Sequence, residues 1–207
     1  MVNRLNSSYF VRPPAMVVSI SVINHSFSSA KTWEVLRPRA PPQAFAKFIW
    51  FSGATPKPAF HMWVTNLNRL PTRSRLAAWE MQITPVCCIC SSHPETRDHL
   101  MLSCFYAEVL WFKSRRRFRD TVPVFTNWPE LVLWLSSSSP ATPSHLRTMV
   151  IQALIYNIWK QRNNMLHNQA LTPPLVTFRE INRHIISSIY AWRKRKHFSN
   201  LMARWLI

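Results

Sequence analysis

All four cysteines of this 207-residue chain fall between positions 87 and 104, as Cys87, Cys88, Cys90 and Cys104, with His93 and His99 among them. A disulfide framework spreads its bridges through a small secreted chain, whereas thiols crowded into one stretch of a longer chain point to metal ligands in a reducing compartment. The series Cys87-x2-Cys90-x8-His99-x4-Cys104 offers four donors to one ion. Two sulfurs reach the ion from one tight turn, and the imidazole and third sulfur close the set. Three thiolates and an imidazole suit tetrahedral zinc, and a closed set leaves no position for a reactive water, so the expected role is structural. Structural zinc contributes ~10–16 kcal/mol in finger peptides. A whole domain is stable by only about 5–15 kcal/mol, so this region is expected not to fold without its ion.

Two side chains compete for places in the set. Cys88 in place of Cys87 would make a Cys-x-Cys loop, a poorer chelate, and it is assigned to packing. His93 could replace His99, less favourably, because Glu95-Thr96-Arg97-Asp98-His99-Leu100 runs on into a helix. Five residues of α-helix turn through about 500°, so His99 and Cys104 need not share a face and the helix is expected to break or bend near Ser103. Glu95 and Asp98 are candidates for orienting the imidazole, and equally for complementing a helix N-terminus.

The rest of the composition removes whole classes of chemistry. Gly53 is the single glycine, which excludes phosphate-binding loops of the Walker and dinucleotide types. The eight acids stand apart at 34, 80, 95, 98, 108, 120, 130 and 180, with no cluster for the two metals of a polymerase or nuclease. One thiol–base pairing, Cys88 with His93, is open to nucleophilic chemistry, and the chain is expected to be no enzyme and to have no small-molecule substrate. Lys and Arg number 26, for a net charge of +18. Charged residues are only 16% of the chain, so the excess reflects missing acids. Such a field attracts polyanions.

Periodicity predicts a mostly α fold: a small helical zinc-knuckle domain followed by long C-terminal helices. Residues 1–31 are expected to form a poorly ordered segment. Arg4, Arg12 and Lys31 without an acid give it a weak likeness to an organellar transit peptide. Its apolar run from Ala15 to Ile23 is too short for a bilayer, which needs ~20 residues, and no membrane partner is expected. Residues 32–120 form the expected metal-binding domain and 121–207 a basic helical extension. Thr32–Leu36 reads as a short helical turn. Gln43–Phe51 reads as a helix, and so does Ala59–Leu70 with Phe60, Trp63, Val64 and Leu67 inward. Thr72 is expected to cap a short helix holding Leu76 and Trp79, and Thr96 a helix running from Arg97 into Arg116. Asn127-Trp128-Pro129-Glu130 has the form of a helix start. Ser136–Pro140 reads as a flexible linker, followed by a helix from Ser144 to about Asn168. A last helix, about Val176 to His197, buries Phe178, Ile181, Ile185, Ile189 and Trp192.

The sequence resembles the zinc-binding domain found downstream of the reverse transcriptase in plant LINE-type (non-LTR) retroelement proteins. The matching pieces, in order, are Thr32–Pro38, Phe48-Ile49-Trp50, Pro56–Trp63, Arg69–Leu76, Cys87-x2-Cys90, Glu95–Leu100, Cys104 and Trp111. Trp159-Lys160-x-Arg162-Asn163, with His167 beyond it, is similar to the tail that often follows this domain. The resemblance implies that Cys87, Cys90, His99 and Cys104 are zinc ligands. Cys88 and Glu80 depart from the family pattern without removing a ligand.

Candidate contacts to nucleic acid are Arg69, Arg73, Arg75 and Arg97 around the knuckle, Lys113, Arg115, Arg116 and Arg117 after it, and Arg193, Lys194, Arg195 and Lys196 near the C-terminus. Trp63, Trp79, Phe105 and Tyr106 are candidate stacking surfaces or core. The expected function is a non-catalytic zinc domain that binds RNA or DNA with little sequence preference, as an accessory to reverse transcription in the nucleus or cytoplasm. The alternatives are a protein-interaction module that packs on a reverse transcriptase or a second copy, and a retroelement remnant without activity.

Overall fold

The computed structural model describes residues 28–36, 43–118, 121–137, 139 and 142–206. The expected poorly ordered segment falls almost wholly outside these residues, and the expected linker at Ser136–Pro140 falls partly outside them. Residues 1–41 and 42–207 separate into two units. Within the first lies helix α1, Ser29–Leu36. It starts three residues before the expected Thr32. The Ser28 hydroxyl accepts from the Lys31 N–H at 3.4 Å and the Ser28 carbonyl from Thr32 at 3.0 Å, which caps an earlier turn.

The second unit is helical throughout, and among the described residues it has no strand, only an antiparallel bridge between Val86 and Pro94. A 3-10 turn at Ala44–Phe48 is followed by α2 (Pro56–Asn66) and α3 (Arg73–Ala77). After the cysteine loop come a π-helical turn at His99–Ser103 and α4 (Phe105–Arg115). The chain continues through α5 (Trp128–Ser136), α6 (Ser144–Asn168) and α7 (Pro174–Trp192). It ends with a 3-10 turn at Lys196–Phe198 and α8 (Leu201–Trp205). The expected last helix therefore stops at Trp192, and the chain folds back through α8, burying Phe198, Leu201 and Trp205.

The central element is α6, on which α2, α4, α5 and α7 all pack. Of the predicted stripe, Leu146, Val150, Leu154 and Ile158 are buried and Met165 is half-buried, but Ile151, Ala153, Ile155, Gln152, Asn157, Gln161 and Arg162 are buried as well. A helix enclosed on several sides must satisfy its polar groups locally. Gln152 accordingly donates to the carbonyls of Phe48 and Ile49 at 3.0 and 2.9 Å, and Asn157 to Ala153 at 2.8 Å. One apolar core runs from Phe48 to Trp205, so the stretches on either side of residue 120 share it.

At the start of α5 the Asn127 side chain accepts from the Glu130 N–H at 3.1 Å, while the Glu130 carboxylate takes the Thr126 N–H at 2.8 Å. This is the reciprocal cap that the sequence announces. The expected face of α2 is met only in part: Trp63 and Val64 pack against the core, but the deepest positions are others. In α2 the buried side chains are Pro58, Ala59, Met62 and Thr65, while Phe60 is exposed and Trp63, Val64 and Leu67 are half-buried. The fully buried stripe is offset toward the N-terminus from the expected one. Thr65 is hidden there at little cost because its hydroxyl bonds the His61 carbonyl at 2.6 Å. In α3 no residue is fully buried, and the helix ends at Ala77, short of Trp79, which of its two expected places, stacking surface or core, takes the exposed one, beneath the guanidinium of Arg75 at 5.0 Å.

Candidate metal centre

The cysteine loop is a narrow excursion closed at its base. Glu95 N–H bonds the Pro85 carbonyl at 2.7 Å, and Cys87 N–H bonds that of His93 at 2.8 Å. Ser91 N–H reaches back to the Cys87 carbonyl at 2.9 Å, with Ser91 at a left-handed φ of 54°. The N–H groups of Cys90 and Ile89 point at the Cys87 sulfur. The tip thus presents Cys87 and Cys90 on one side.

His99 and Cys104 come from the following segment, where two deviations from an α-helix bring them together. The Cys104 N–H bonds the His99 carbonyl at 2.6 Å, five residues back, so the turn between them is π-helical and wide. Cys104 itself is extended, with φ −65° and ψ 136°, and caps α4. The break falls one residue after the expected Ser103. The Thr96 hydroxyl accepts from the His99 N–H at 3.1 Å and fixes the entry to this turn.

The ligand atoms of Cys87, Cys90, His99 and Cys104 all lie within 4.8 Å of one another. Cys90 Sγ and His99 Nε2 are 3.3 Å apart. Bonds of 2.3 Å to sulfur and 2.0–2.1 Å to nitrogen give tetrahedral edges of about 3.5–3.8 Å, so the set closes on one ion with a small contraction. All four cysteines are free of disulfides. The Cys87 thiol is pulled down by a hydrogen bond from Cys104, while giving that bond, together with burial, pushes Cys104 up. A bound cation would take thiolates, so its binding would release protons from these sulfurs. The residues present therefore fit a tetrahedral metal ion with soft donors.

Cys88 and His93 stand outside the set. The Cys88 thiol points at the Arg162 carbonyl at 3.7 Å and is pushed up to about 12 by burial and the adjacent Glu95 carboxylate. It is held as a neutral packing group. His93 is exposed and stacks on the His99 ring at 5.2 Å.

Neither Glu95 nor Asp98 orients the imidazole. His99 Nδ1 instead lies 3.5 Å from the Ser103 hydroxyl. Asp98 pairs with Arg97 at 2.7 Å and accepts the Trp128 N–H at 3.2 Å, tying the loop to the start of α5. Glu95 is fully buried, and its carboxylate accepts from Arg162 Nε and Nη2 at 3.0 and 2.8 Å. It also accepts the N–H groups of Arg73 at 2.9 Å and Cys88 at 3.3 Å. Arg162 donates further to the Pro71 carbonyl at 3.2 Å. One ion pair on α6 thus holds the base of the metal loop and the start of α3, whose expected cap Thr72 makes no side-chain bond.

The candidate nucleic-acid residues differ in exposure and in local partners. Arg69 is exposed, Arg73 is folded onto the Thr84 hydroxyl at 2.9 Å, and Arg75 donates to the Asn68 carbonyl. Arg97 is neutralised by Asp98 and lies over Trp128 at 4.9 Å. Past the metal loop, Lys113 is half-buried and Arg116 exposed. Arg115 is lowered by burial and lies over Trp111, and Arg117 reaches the Trp205 carbonyl at 3.5 Å. Arg193, Lys194, Arg195 and Lys196 are all exposed. Of the four candidate stacking rings, Tyr106 is fully buried, its hydroxyl 2.7 Å from both the Thr172 carbonyl and the Thr177 hydroxyl, so it is core. Among the described residues no helix is long and apolar enough to cross a membrane.

Searches among curated proteins and among solved structures find no match. Residues 27–111, which contain all four converging donors, match the model of a family described as zinc-binding in reverse transcriptase.

Proposed function

We propose that this chain is a non-catalytic zinc module of a LINE-type retroelement protein, which binds RNA or DNA with little sequence preference as an accessory to reverse transcription. The observation that carries the reading is the convergence of Cys87, Cys90, His99 and Cys104 within 4.8 Å inside the segment that matches the family model. These four residues would hold Zn2+. The ion would cross-link the loop at 85–95 to the start of α4 and supply no reactive position. The protein's own residues do the rest: Glu95 and Arg162 anchor the loop to α6, and Ser103 lies beside the free nitrogen of His99. A nucleic-acid role is supported by the charge of +18 and by a distribution in which, of the twelve candidate cations, Arg97 is the one whose side chain forms an ion pair among the described residues.

The test is binding to single-stranded RNA and duplex DNA as a function of salt. Log K should fall with log salt at about −0.7Z on single strands and −0.9Z on duplex for Z phosphates contacted. No binding to either at low salt would overturn the nucleic-acid role. A second reading, a module docking on a reverse transcriptase or a second copy, is favoured by one observation. Phe60 and Phe112, in the matched segment and just beyond it, are 51% and 53% exposed. Sedimentation showing a dimer that Phe60→Ser dissociates would support it.

A further inference from the structure

Three acid-free stretches of the chain meet at the end of the bundle where α6 begins. Residues 43–53, 142–149 and 183–200 contain no Asp or Glu. They are joined by specific contacts. Gly53, at φ +95°, lies where an added Cβ would come within 2.7 Å of the Phe198 ring and 3.1 Å of Trp192. The chain's single glycine therefore stands where the C-terminal segment seats on the body. Arg195 donates to the Ser52 hydroxyl, and the His145 ring stacks on His197 at 5.0 Å and meets Phe198 edge-to-face at 5.6 Å. The run Arg193–His197, exposed beyond the end of α7, is thus held in place. It is a loop pinned by Trp192 on one side and by buried Phe198 on the other.

This pinning presents cations and rings together. Arg193 lies 3.8 Å over Tyr190 and Arg195 4.1 Å over Trp192, so both guanidinium groups sit against aromatic rings. Lys47, Lys194 and Lys196 are exposed, and beside Lys47 a groove of about 380 Å3 is lined by Phe51, Ser137, Ser144 and His145. Trp50 is 54% exposed and directly precedes Phe51 and Ser52. Around the metal loop, by contrast, the cations are mixed with acids: Arg97 pairs with Asp98, Arg162 with Glu95, and Glu108 acts on Arg115. The two regions are far apart. His145 and Arg162 are separated by roughly 25 Å of α6 at 1.5 Å per residue.

We infer that this end face, and not the surroundings of the metal, is the track for a single-stranded polynucleotide, with Lys47 and the pinned loop 193–196 on phosphates and Trp50 stacked on a base. The inference rests on the nucleic-acid reading above and places its interface. Stacking on exposed rings beside a cationic groove suits unpaired bases, whose faces are accessible and sequence-neutral.

The experiment measures anisotropy of labelled U20 RNA and dT20 DNA with the full chain, in two neutralised variants matched for charge. Changing Lys47, Lys194 and Lys196 together to Gln should reduce the salt slope by about 2, and Trp50→Ala should weaken binding between about 5- and 100-fold. Changing Arg69, Lys113 and Arg116 together to Gln should leave the slope in place. Circular dichroism melts establish that each variant folds. If the second set lowers the slope as much as the first, or Trp50→Ala binds like the parent, this inference falls while the nucleic-acid role stands. If the parent binds phosphatidylserine vesicles and neither strand, the face is a lipid contact and both readings fall. RNA preferred over DNA, or the reverse, supports the same track and identifies its sugar.

Discussion

Replacing Glu95 by alanine should be among the most damaging single changes to this protein, although the residue binds no metal. Its carboxylate is fully buried and accepts four hydrogen bonds, two from Arg162 and one each from the backbone of Arg73 and Cys88. Without it the Arg162 guanidinium, 3% exposed, keeps only the Pro71 carbonyl and the Asn163 side chain as acceptors. Breaking a buried pair by removing one partner costs about 3–5 kcal/mol. Two orphaned backbone donors add to that at about 1–3 kcal/mol each where water cannot reach them. For a domain of this size each kcal/mol lowers Tm by about 2–4 °C, so the charge term alone predicts a loss of about 6–20 °C. The assay is a thermal melt followed by circular dichroism, with zinc content measured on the same samples. Changing Glu95 to Leu and Arg162 to Met together should recover part of the loss, since an apolar pair of similar volume removes the unpaired charge but not the orphaned N–H groups. A Glu95→Ala protein that melts within 2 °C of the parent would refute the claim that this pair anchors the metal loop.

Other changes test separate parts of the structure. Asn127→Ala removes the cap of α5 and should cost about 1 kcal/mol, visible as a drop in the urea midpoint. Gly53→Ala should strain a backbone that sits at φ +95° and displace Phe198, so that trypsin cleaves the 193–196 loop earlier than in the parent. Tyr106→Phe loses two buried hydrogen bonds and should destabilise by about 1–3 kcal/mol in a denaturant titration. Burial lowers the pKa of His61, His145 and His184, so in the unfolded chain each takes up its proton at a higher pH than in the native state. Their contribution is fully present above the unfolded value of about 6.5 and is lost as pH falls from there toward the folded values. Denaturation of the parent and of His145→Phe at pH 7.5 and 5.5 measures this. The variant should lose less stability on acidification, and an equal loss would count against the burial of His145.

The parts of this fold that are legible in the sequence are those whose signal is local. Asn127 and Glu130 stand at the spacing of a reciprocal cap, and α5 begins there. The apolar spacing from Leu146 to Ile158 marks α6, and its predicted ends agree with Ser144 and Asn168. The four donors are legible because their chemistry is rare and their spacing short. What escapes is set by partners distant in the chain. The inward face of α2 is decided by Met62 and Thr65 meeting α6, and Thr65 hides its hydroxyl on its own helix, so polarity misleads there. Trp79 is open in the sequence between a stacking surface and core, and the structure leaves it exposed with Arg75 over its ring. Glu95 and Arg162 are 67 residues apart, and nothing local distinguishes a buried carboxylate from a helix-capping one. The π-helical turn that joins His99 to Cys104 has no sequence signature, though the angular mismatch required some break near it.

The most direct test of the account is a cobalt(II) titration of the metal-free protein followed by absorption, repeated on Cys88→Ala, Cys90→Ala and His99→Ala. One equivalent should bind with the strong visible bands of a tetrahedral site and thiolate charge transfer. Cys88→Ala should be indistinguishable from the parent, and the other two should lose the spectrum or shift its geometry. A parent that takes up no ion, or a spectrum that survives Cys90→Ala and disappears with Cys88→Ala, would contradict the assignment of Cys87, Cys90, His99 and Cys104 as one centre.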